Sequence, residues 1–328
     1  MLFKCRNCGG NIVYDPVKKA MCCPHCESLD SEEKLPGSSI VNNCPNCGAP
    51  IVLKEHTSAT KCPSCGSYLI IDERVQEVYE PELIIPFKLG KNQVKEILYK
   101  EFGKRPFTPA GFLSYAGLEK MEGNYVPFFM YDYSADINYS AVGTKVRSWT
   151  SGSYRYTETS YFDVVREMDA DFEKVPVDAS VEMDDTKMDL MEPYKYGELE
   201  KYQDKYLSGF YAEKYNMPST ELEGRAEEKV QRDSEELLKS TLGGYATLTN
   251  VNKSIRTDKK GVKYALLPVW EYIFGYGGTE YKFMVNGQTG KVVGTTPVAK
   301  GKVIAYGATV FGLVTLIGFM IRMALMAL

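Results

Sequence analysis

The chain has 328 residues, of which 44% are hydrophobic and 25% are charged, and its formal net charge is −4. This composition excludes a chain that is disordered throughout and a polycation that binds nucleic acid through charge alone. Only two histidines occur, His25 and His56, and both lie among N-terminal cysteines, which excludes Ser-His-Asp or Cys-His catalysis elsewhere in the chain.

Four Cys-x-x-Cys pairs in the first 65 residues form an internal repeat. The pairs are Cys5/Cys8, Cys23/Cys26, Cys44/Cys47 and Cys62/Cys65, and each of the first four cysteines has a counterpart 39 residues later. Two such turns can arrange four thiolates as a tetrahedral metal site. The repeat therefore predicts two zinc ribbons, at residues 1–38 and 39–75, each with one structural Zn²⁺ bound by four of these cysteines.

Redox chemistry and iron binding are the alternatives to zinc for these cysteines. A redox dithiol is disfavoured because the pairs lack a βαβ context, whereas iron stays open because four thiolates also suit iron. Four cysteines close the coordination shell, so the sites are expected to be structural. Cys22 breaks the 39-residue register, and we expect neither Cys22 nor His25 to bind metal. No apolar signal segment precedes the cysteines, which favours a reducing compartment.

The charge of the ribbon region bears on its partners. Residues 1–75 carry eight basic and eight acidic side chains. Two zinc ions with eight thiolates would leave this region negatively charged, while binding to duplex DNA relies on Lys and Arg. Nucleic acid is therefore possible but not favoured as a partner of the ribbons.

Residues 80–298 are predicted to form one α+β domain with antiparallel β-hairpins and two central helices. Alternating apolar patterns predict strands at 128–137 and 264–274, and glycines predict a hairpin at 283–293. Helical periodicity predicts the two helices at 198–215 and 221–242.

Charge is unevenly distributed along this domain. Residues 160–200 have a net charge of −9, and residues 245–302 have a net charge of +6. The basic segment either faces anionic headgroups or is an ordinary solvated surface, and the sequence leaves both open. Asp184, Asp185 and Asp189 could suggest a divalent-metal or acid/base site, but no EF-hand or catalytic spacing accompanies them.

The C-terminal segment predicts one transmembrane helix at 303–325. Residues 303–321 form an uncharged run of nineteen residues, and a helix of this length can cross a bilayer. Lys291, Lys300 and Lys302 flank it, so the positive-inside rule places the N-terminal domains in the cytoplasm. The alternative is a buried helix of a soluble domain, which the absence of a polar stripe disfavours.

Several strings carry a family resemblance. Besides the cysteine turns they are residues 174–178 (KVPVD), 183–185 (MDD), 192–194 (EPY), 263–270 (KYALLPVW) and 285–294 (VNGQTGKVVG). With them the chain resembles a family of bacterial zinc-ribbon proteins of general-transcription-factor type, sometimes labelled replication-restart helicase-like. The resemblance implies zinc binding and membrane association, and no established activity. A phosphate loop and an acidic magnesium motif are missing from the sequence, so we expect no helicase activity.

These observations predict a single-pass, tail-anchored protein of the cell membrane that is not an enzyme. Its cytoplasmic zinc ribbons and α+β domain are expected to recognise a protein partner as an adaptor. The alternative is a membrane-tethered nucleic-acid-binding protein linked to transcription or replication. The sequence indicates no small-molecule substrate and no catalytic residue.

Overall fold

A computed structural model describes residues 1–35, 43–71 and 80–326. Within these ranges the strands are β1 (Leu2–Cys5), β2 (Val13–Asp15), β3 (Ala20–Cys22), β4 (Glu32–Leu35), β5 (Thr57–Lys61), β6 (Tyr68–Ile70), β7 (Leu83–Ile84), β8 (Glu122–Ser151), β9 (Tyr154–Asp178), β10 (Glu200–Lys201), β11 (Tyr211–Glu213), β12 (Thr247–Tyr276), β13 (Thr279–Asn286) and β14 (Val292–Val293). The helices are α1 (Lys91–Phe102), α2 (Tyr115–Leu118), α3 (Asp185–Met191), α4 (Ser219–Thr241) and α5 (Lys300–Met326).

The two N-terminal cysteine units join the rest of the molecule differently. In the first unit, β1 pairs with β4 and β2 pairs with β3, which gives two separate two-stranded sheets. In the second, β5 and β6 lie at one end of a ten-stranded sheet, because β5 pairs with β11. Residues 51–53 of this unit form no strand, and Val52 is 97% exposed. The predicted boundaries between the ribbons at 38/39 and after residue 75 lie outside the described residues.

The cysteine units pack on each other and on the α+β domain. The Ile70 N–H donates to the Met1 carbonyl oxygen at 2.9 Å, linking the two units. The Tyr14 N–H donates to the Ser208 carbonyl oxygen at 2.8 Å, and the Tyr14 ring meets Tyr206 edge-on at 5.1 Å between centroids. The N-terminal region is therefore fixed against the domain rather than tethered to it.

A long antiparallel arm, formed by β8, β9 and β12, dominates the domain. The strand β8 has 30 residues, which corresponds to roughly 100 Å at about 3.3 Å per residue. Gly152, with φ +61°, lies in the two-residue turn that joins β8 to β9. Because β12 begins at Thr247, opposite Thr144, residues 145–160 form a two-stranded end, called the tip below.

The helix α4 covers the middle of one face of the arm. Alternate residues of β8, such as Tyr133 and Ile137, are buried on this face, and those between them point to the other, exposed side. The helix α4 contributes buried apolar side chains, including Val230. Lys253 and Lys259 of β12 form ion pairs with glutamates of α4, so part of the basic segment neutralises this helix.

The predicted helix at 198–215 is wrong. This stretch instead contains the 3₁₀ turns Tyr196–Glu198 and Asp204–Leu207 and the short strands β10 and β11. Gly209 has φ +108°, a conformation that a helix cannot contain, and Tyr206 packs against the first cysteine unit. Tertiary contacts override the helical periodicity. The second predicted helix, 221–242, corresponds to α4, and the predicted hairpin at 283–293 is formed by β13 and β14.

The C-terminal helix α5 is long and apolar enough to cross a membrane. Its candidate span, Lys300–Met323, has 24 residues and a mean hydropathy of 2.0, and the span is 0% buried. This exposure disagrees with the alternative of a buried core helix. The helix leaves the domain at one loop: the Ala299 N–H donates to the Phe107 carbonyl oxygen at 2.8 Å, and the Phe107 and Tyr306 rings contact.

Candidate metal centres and interaction surface

The first four cysteines converge on one point. Cys5 and Cys26 place their sulfurs 3.6 Å apart, and Cys8 and Cys23 place theirs 3.5 Å apart. All four Sγ atoms lie within 4.8 Å of one another. The Gly9 N–H donates to the Cys5 carbonyl oxygen at 2.8 Å, which closes the turn that brings the thiols of the first pair together.

The second four cysteines repeat this geometry. Cys44 and Cys65 place their sulfurs 3.7 Å apart, and Cys47 and Cys62 place theirs 3.8 Å apart. The Gly48 N–H donates to the Cys44 carbonyl oxygen at 2.8 Å, as in the first unit. Gly48 has φ +72°, a left-handed conformation that glycine adopts without strain.

The sulfur spacings fit a tetrahedral ion. A Zn–S bond of about 2.3 Å with tetrahedral angles places neighbouring sulfurs roughly 3.8 Å apart. Both clusters come close to this spacing, so each can hold a metal ion and each is consistent with zinc. Four thiolates at this spacing also suit iron.

Hydrogen bonds lower the pKa and favour the thiolate form at Cys5 and Cys26 of the first cluster and at Cys65 of the second. The Ser28 hydroxyl lies 3.1 Å from the Cys5 sulfur, and this hydrogen bond lowers the pKa of Cys5 to about 6. Burial raises the pKa of Cys65, but hydrogen bonds with Ser67 and Asn46 outweigh it and lower that pKa to about 5. Metals bind thiolates, so these contacts favour metal binding at these positions. Burial acts in the other direction at Cys44 and raises its pKa to about 12.

The remaining Cys and His side chains lie outside both clusters. Cys22 is buried and its sulfur accepts a hydrogen bond from Lys18 Nζ at 3.3 Å. His25 is exposed and His56 is partly buried. Within the described ranges, only the two cysteine clusters bring three or more Cys, His, Asp or Glu ligands together.

Acidic side chains of β9 and α3 pair with cations of α4. Arg225 lies 3.0 Å from both Asp178 and Asp185, and Lys229 Nζ lies 2.7 Å from Asp189. Burial raises the pKa of Asp178 to about 6, although Arg225 acts to lower it. The carboxylates that could have suggested a metal site therefore anchor α3 to α4.

The tip of the arm exposes a group of aromatic and basic side chains that the sequence analysis missed. The exposed aromatic side chains are Trp149, Tyr154 and Tyr156, and the basic ones are Lys145, Arg147 and Arg155. Trp149 and Tyr156 stack with centroids 5.6 Å apart and planes 15° apart, and the Arg147 guanidinium lies 5.7 Å from the Trp149 ring centroid. Alternating residues in 129–141, followed by Ser-Gly at 151–152, are the signals that could have predicted this hairpin.

Comparison with known proteins identifies a relative. No protein-family model matches the chain, and no solved structure matches it. The chain is 37% identical over 320 residues to a Bacillus subtilis (strain 168) protein named "Uncharacterized protein YdjG", and the alignment covers 94% of each chain. At this identity and coverage, the chain belongs to the same protein family as YdjG.

Proposed function

We propose that this protein is a non-enzymatic, zinc-binding adaptor that is anchored in the cell membrane and binds a protein partner in the cytoplasm. The observation that carries the proposal is the tip, a β-hairpin end that exposes aromatic and arginine side chains. Trp, Tyr and Arg dominate the binding energy of protein interfaces. The stacked pair of Trp149 and Tyr156 is already ordered, which reduces the entropy lost when a partner binds.

The position of the tip relative to α5 supports an adaptor. Ala299, the residue before α5, donates its N–H to Phe107 in the loop at 103–114. Phe112 of the same loop contacts Tyr272, near the end of β12 that lies far from the tip. The tip therefore lies at the opposite end of an arm roughly 100 Å long. An anchor at one end and an interaction surface at the other can hold a partner at a distance from the bilayer.

In this proposal the two zinc ions are structural. The second cysteine unit pairs with the domain through β5 and β11, and the first packs against Tyr206. Metal binding would fix both units against the base of the arm. Closed sites with four thiolates leave no position for a substrate, in keeping with a role without catalysis.

The proposal is tested by co-purification of the full-length, zinc-loaded chain from detergent-solubilised membranes. We expect a stoichiometric protein partner, and we expect the double variant Trp149→Ala/Tyr154→Ala to lose it while keeping two zinc ions per chain. The matched control is Leu237→Ala, an exposed apolar residue of α4. Recovery of no partner, or equal recovery with the tip variant, would contradict the proposal.

A membrane-tethered nucleic-acid-binding protein is the second candidate, and the tip also favours it. The tip carries three basic side chains and one acidic one, Glu158, and exposed aromatic rings can stack on unpaired bases. Against this, Trp149 and Tyr156 already stack on each other, which occupies one face of each ring. The full chain is titrated with single-stranded and duplex nucleic acid in a salt series. A binding constant whose logarithm falls linearly with the logarithm of the salt concentration would favour this candidate.

A further inference from the structure

A polar cleft lies between the second cysteine unit and the base of the arm. Its volume is about 760 Å³, and its walls come from β5, β11, the first residues of β8 and the hairpin of β12 and β13. Five glutamates and three lysines line it, among them Glu182, Glu213, Glu271 and Lys282. The lining therefore has an excess of negative charge.

The most buried polar side chain of the cleft is Asn124, and its amide oxygen accepts no hydrogen bond from the described residues. Asn124 is 7% exposed, and its Nδ2 donates to Glu213 Oε1 at 3.2 Å and to Glu271 Oε1 at 3.3 Å. These two bonds fix the orientation of the amide, because only the NH₂ group can donate to two carboxylates. The other amide atom, Oδ1, is buried, and no group of the described residues donates a hydrogen bond to it. A buried acceptor left without a donor is costly, so this atom points to a ligand that donates a hydrogen bond.

The carboxylates on either side of Asn124 differ in their charge partners. Glu271 pairs with Lys282 Nζ at 2.8 Å. Glu213 accepts hydrogen bonds from Asn124 and, at 3.0 Å, from the Ser180 hydroxyl, and it has no ion-pair partner within the part of the chain that the structure describes. Burial raises the pKa of Glu213, and the nearby negative charges of Glu182 and Glu271 raise it further. A cation bound in the cleft would offset both effects.

We propose that this cleft binds a primary ammonium group, which Asn124 Oδ1 and the carboxylates of Glu213 and Glu271 hold together. An ammonium group supplies the two things that the site lacks: a positive charge near Glu213 and an N–H donor for the Asn124 amide oxygen. Its source is either a small free amine or a lysine side chain of another polypeptide. This inference does not depend on the adaptor role of the tip.

A divalent cation fits the site less well. Glu213 and Glu271 each direct an oxygen toward the Asn124 NH₂ group, so the amide hydrogens occupy the space between the carboxylates. The two carboxylates do not belong to any group of three acidic, Cys or His ligands within the described residues. An ammonium group can instead bind beside the amide and donate separate hydrogen bonds to Asn124 Oδ1 and to the carboxylate oxygens.

The test is isothermal titration calorimetry of the full-length, zinc-loaded chain in detergent at low salt. The probe is pentylammonium, and tetramethylammonium, which carries the same charge but no N–H donor, is the matched control ligand. We expect pentylammonium to bind and tetramethylammonium to bind at least about tenfold more weakly, since a hydrogen bond to a charged group contributes a factor of this size. No binding of pentylammonium at millimolar concentration, equal binding of both ions, or displacement of pentylammonium by equimolar Mg²⁺ would overturn the proposal.

Near-isosteric variants test the residues. Glu213→Gln and Glu271→Gln should each weaken pentylammonium binding about tenfold or more while the chain keeps two zinc ions. Glu236→Gln, at an exposed position of α4, is the control and should bind as the wild type does. Unchanged binding in both cleft variants would overturn the assignment. Titration with cadaverine and with N-acetyl-lysine methylamide then identifies the source: tighter binding of cadaverine supports a free diamine, and tighter binding of the lysine derivative supports a lysine side chain.

Discussion

Replacing Cys44 with serine removes one of the four thiols of the second cluster. Cys44 is 2% exposed and belongs to a small cluster whose buried aliphatic side chains are Leu2, Ile51 and Leu69. Burial of three such side chains contributes roughly 5–9 kcal/mol, at about 1.5–3 kcal/mol each. A structural zinc site contributes about 10–16 kcal/mol in small zinc peptides. The metal therefore stabilises this unit more than its own apolar contacts do.

The Cys44→Ser variant should accordingly bind one zinc ion per chain instead of two, and its second cysteine unit should unfold. Because β5 pairs with β11, we also expect the melting temperature of the domain to fall. Metal content is measured by mass spectrometry of the purified chain, which also separates zinc from iron. The matched control is Cys22→Ser, a buried thiol outside both clusters, which should keep two ions. Full metal content in Cys44→Ser, or loss of an ion in Cys22→Ser, would refute the ligand assignment.

Three further predictions concern packing, pH and the membrane. A Cβ on Gly123 would lie 2.6 Å from the Phe210 ring, so Gly123→Ala should lower the unfolding free energy by about 1–3 kcal/mol in denaturant titrations. The control is Gly224→Ala on α4, where a Cβ meets no described atom within 4 Å, and it should raise the unfolding free energy by about 0.5–1 kcal/mol. Equal effects of the two substitutions would contradict this packing. The pKa of Asp178 is raised to about 6 in the folded chain, so its contribution to stability is largest at acid pH and is lost as pH rises through 6. Between pH 5 and pH 7 the Asp178→Asn variant should therefore gain about 1 kcal/mol of unfolding free energy relative to the wild type, and parallel pH profiles would show that the carboxyl group is not perturbed. Deleting residues 300–328 should move the protein from the carbonate-resistant membrane pellet to the soluble fraction with both zinc ions retained, and a deletion variant that stays in the pellet would show that another segment anchors it.

The cysteine clusters and the apolar helix could be predicted from sequence because each depends on local spacing. A Cys-x-x-Cys turn brings two thiols together through bonds within five residues, such as the one from Gly48 to Cys44. An uncharged run of nineteen residues is itself the condition for crossing a bilayer. These features need no knowledge of which distant segments meet.

The arm, the tip and the cleft depend on contacts between distant segments. The stretch at 198–215 has helical periodicity, yet its apolar side chains pack in several directions, as Tyr206 does against Tyr14. The cleft joins Asn124 to Glu213 and Glu271, which are 89 and 147 residues away. No local pattern in the sequence relates these three residues. Exposure of Trp149 and Tyr154 likewise follows from where β12 begins, which the sequence pattern did not define.

The most direct test of the adaptor proposal is site-specific photocrosslinking in intact membranes. A photoreactive phenylalanine analogue replaces Tyr154 of the tip and, in the control, Glu236 of α4. We expect one protein adduct from position 154 that resists nuclease and is absent from position 236. A nuclease-sensitive adduct would instead support the nucleic-acid candidate. The same adducts from both positions, or none from position 154, would contradict the proposal that the tip binds a protein partner.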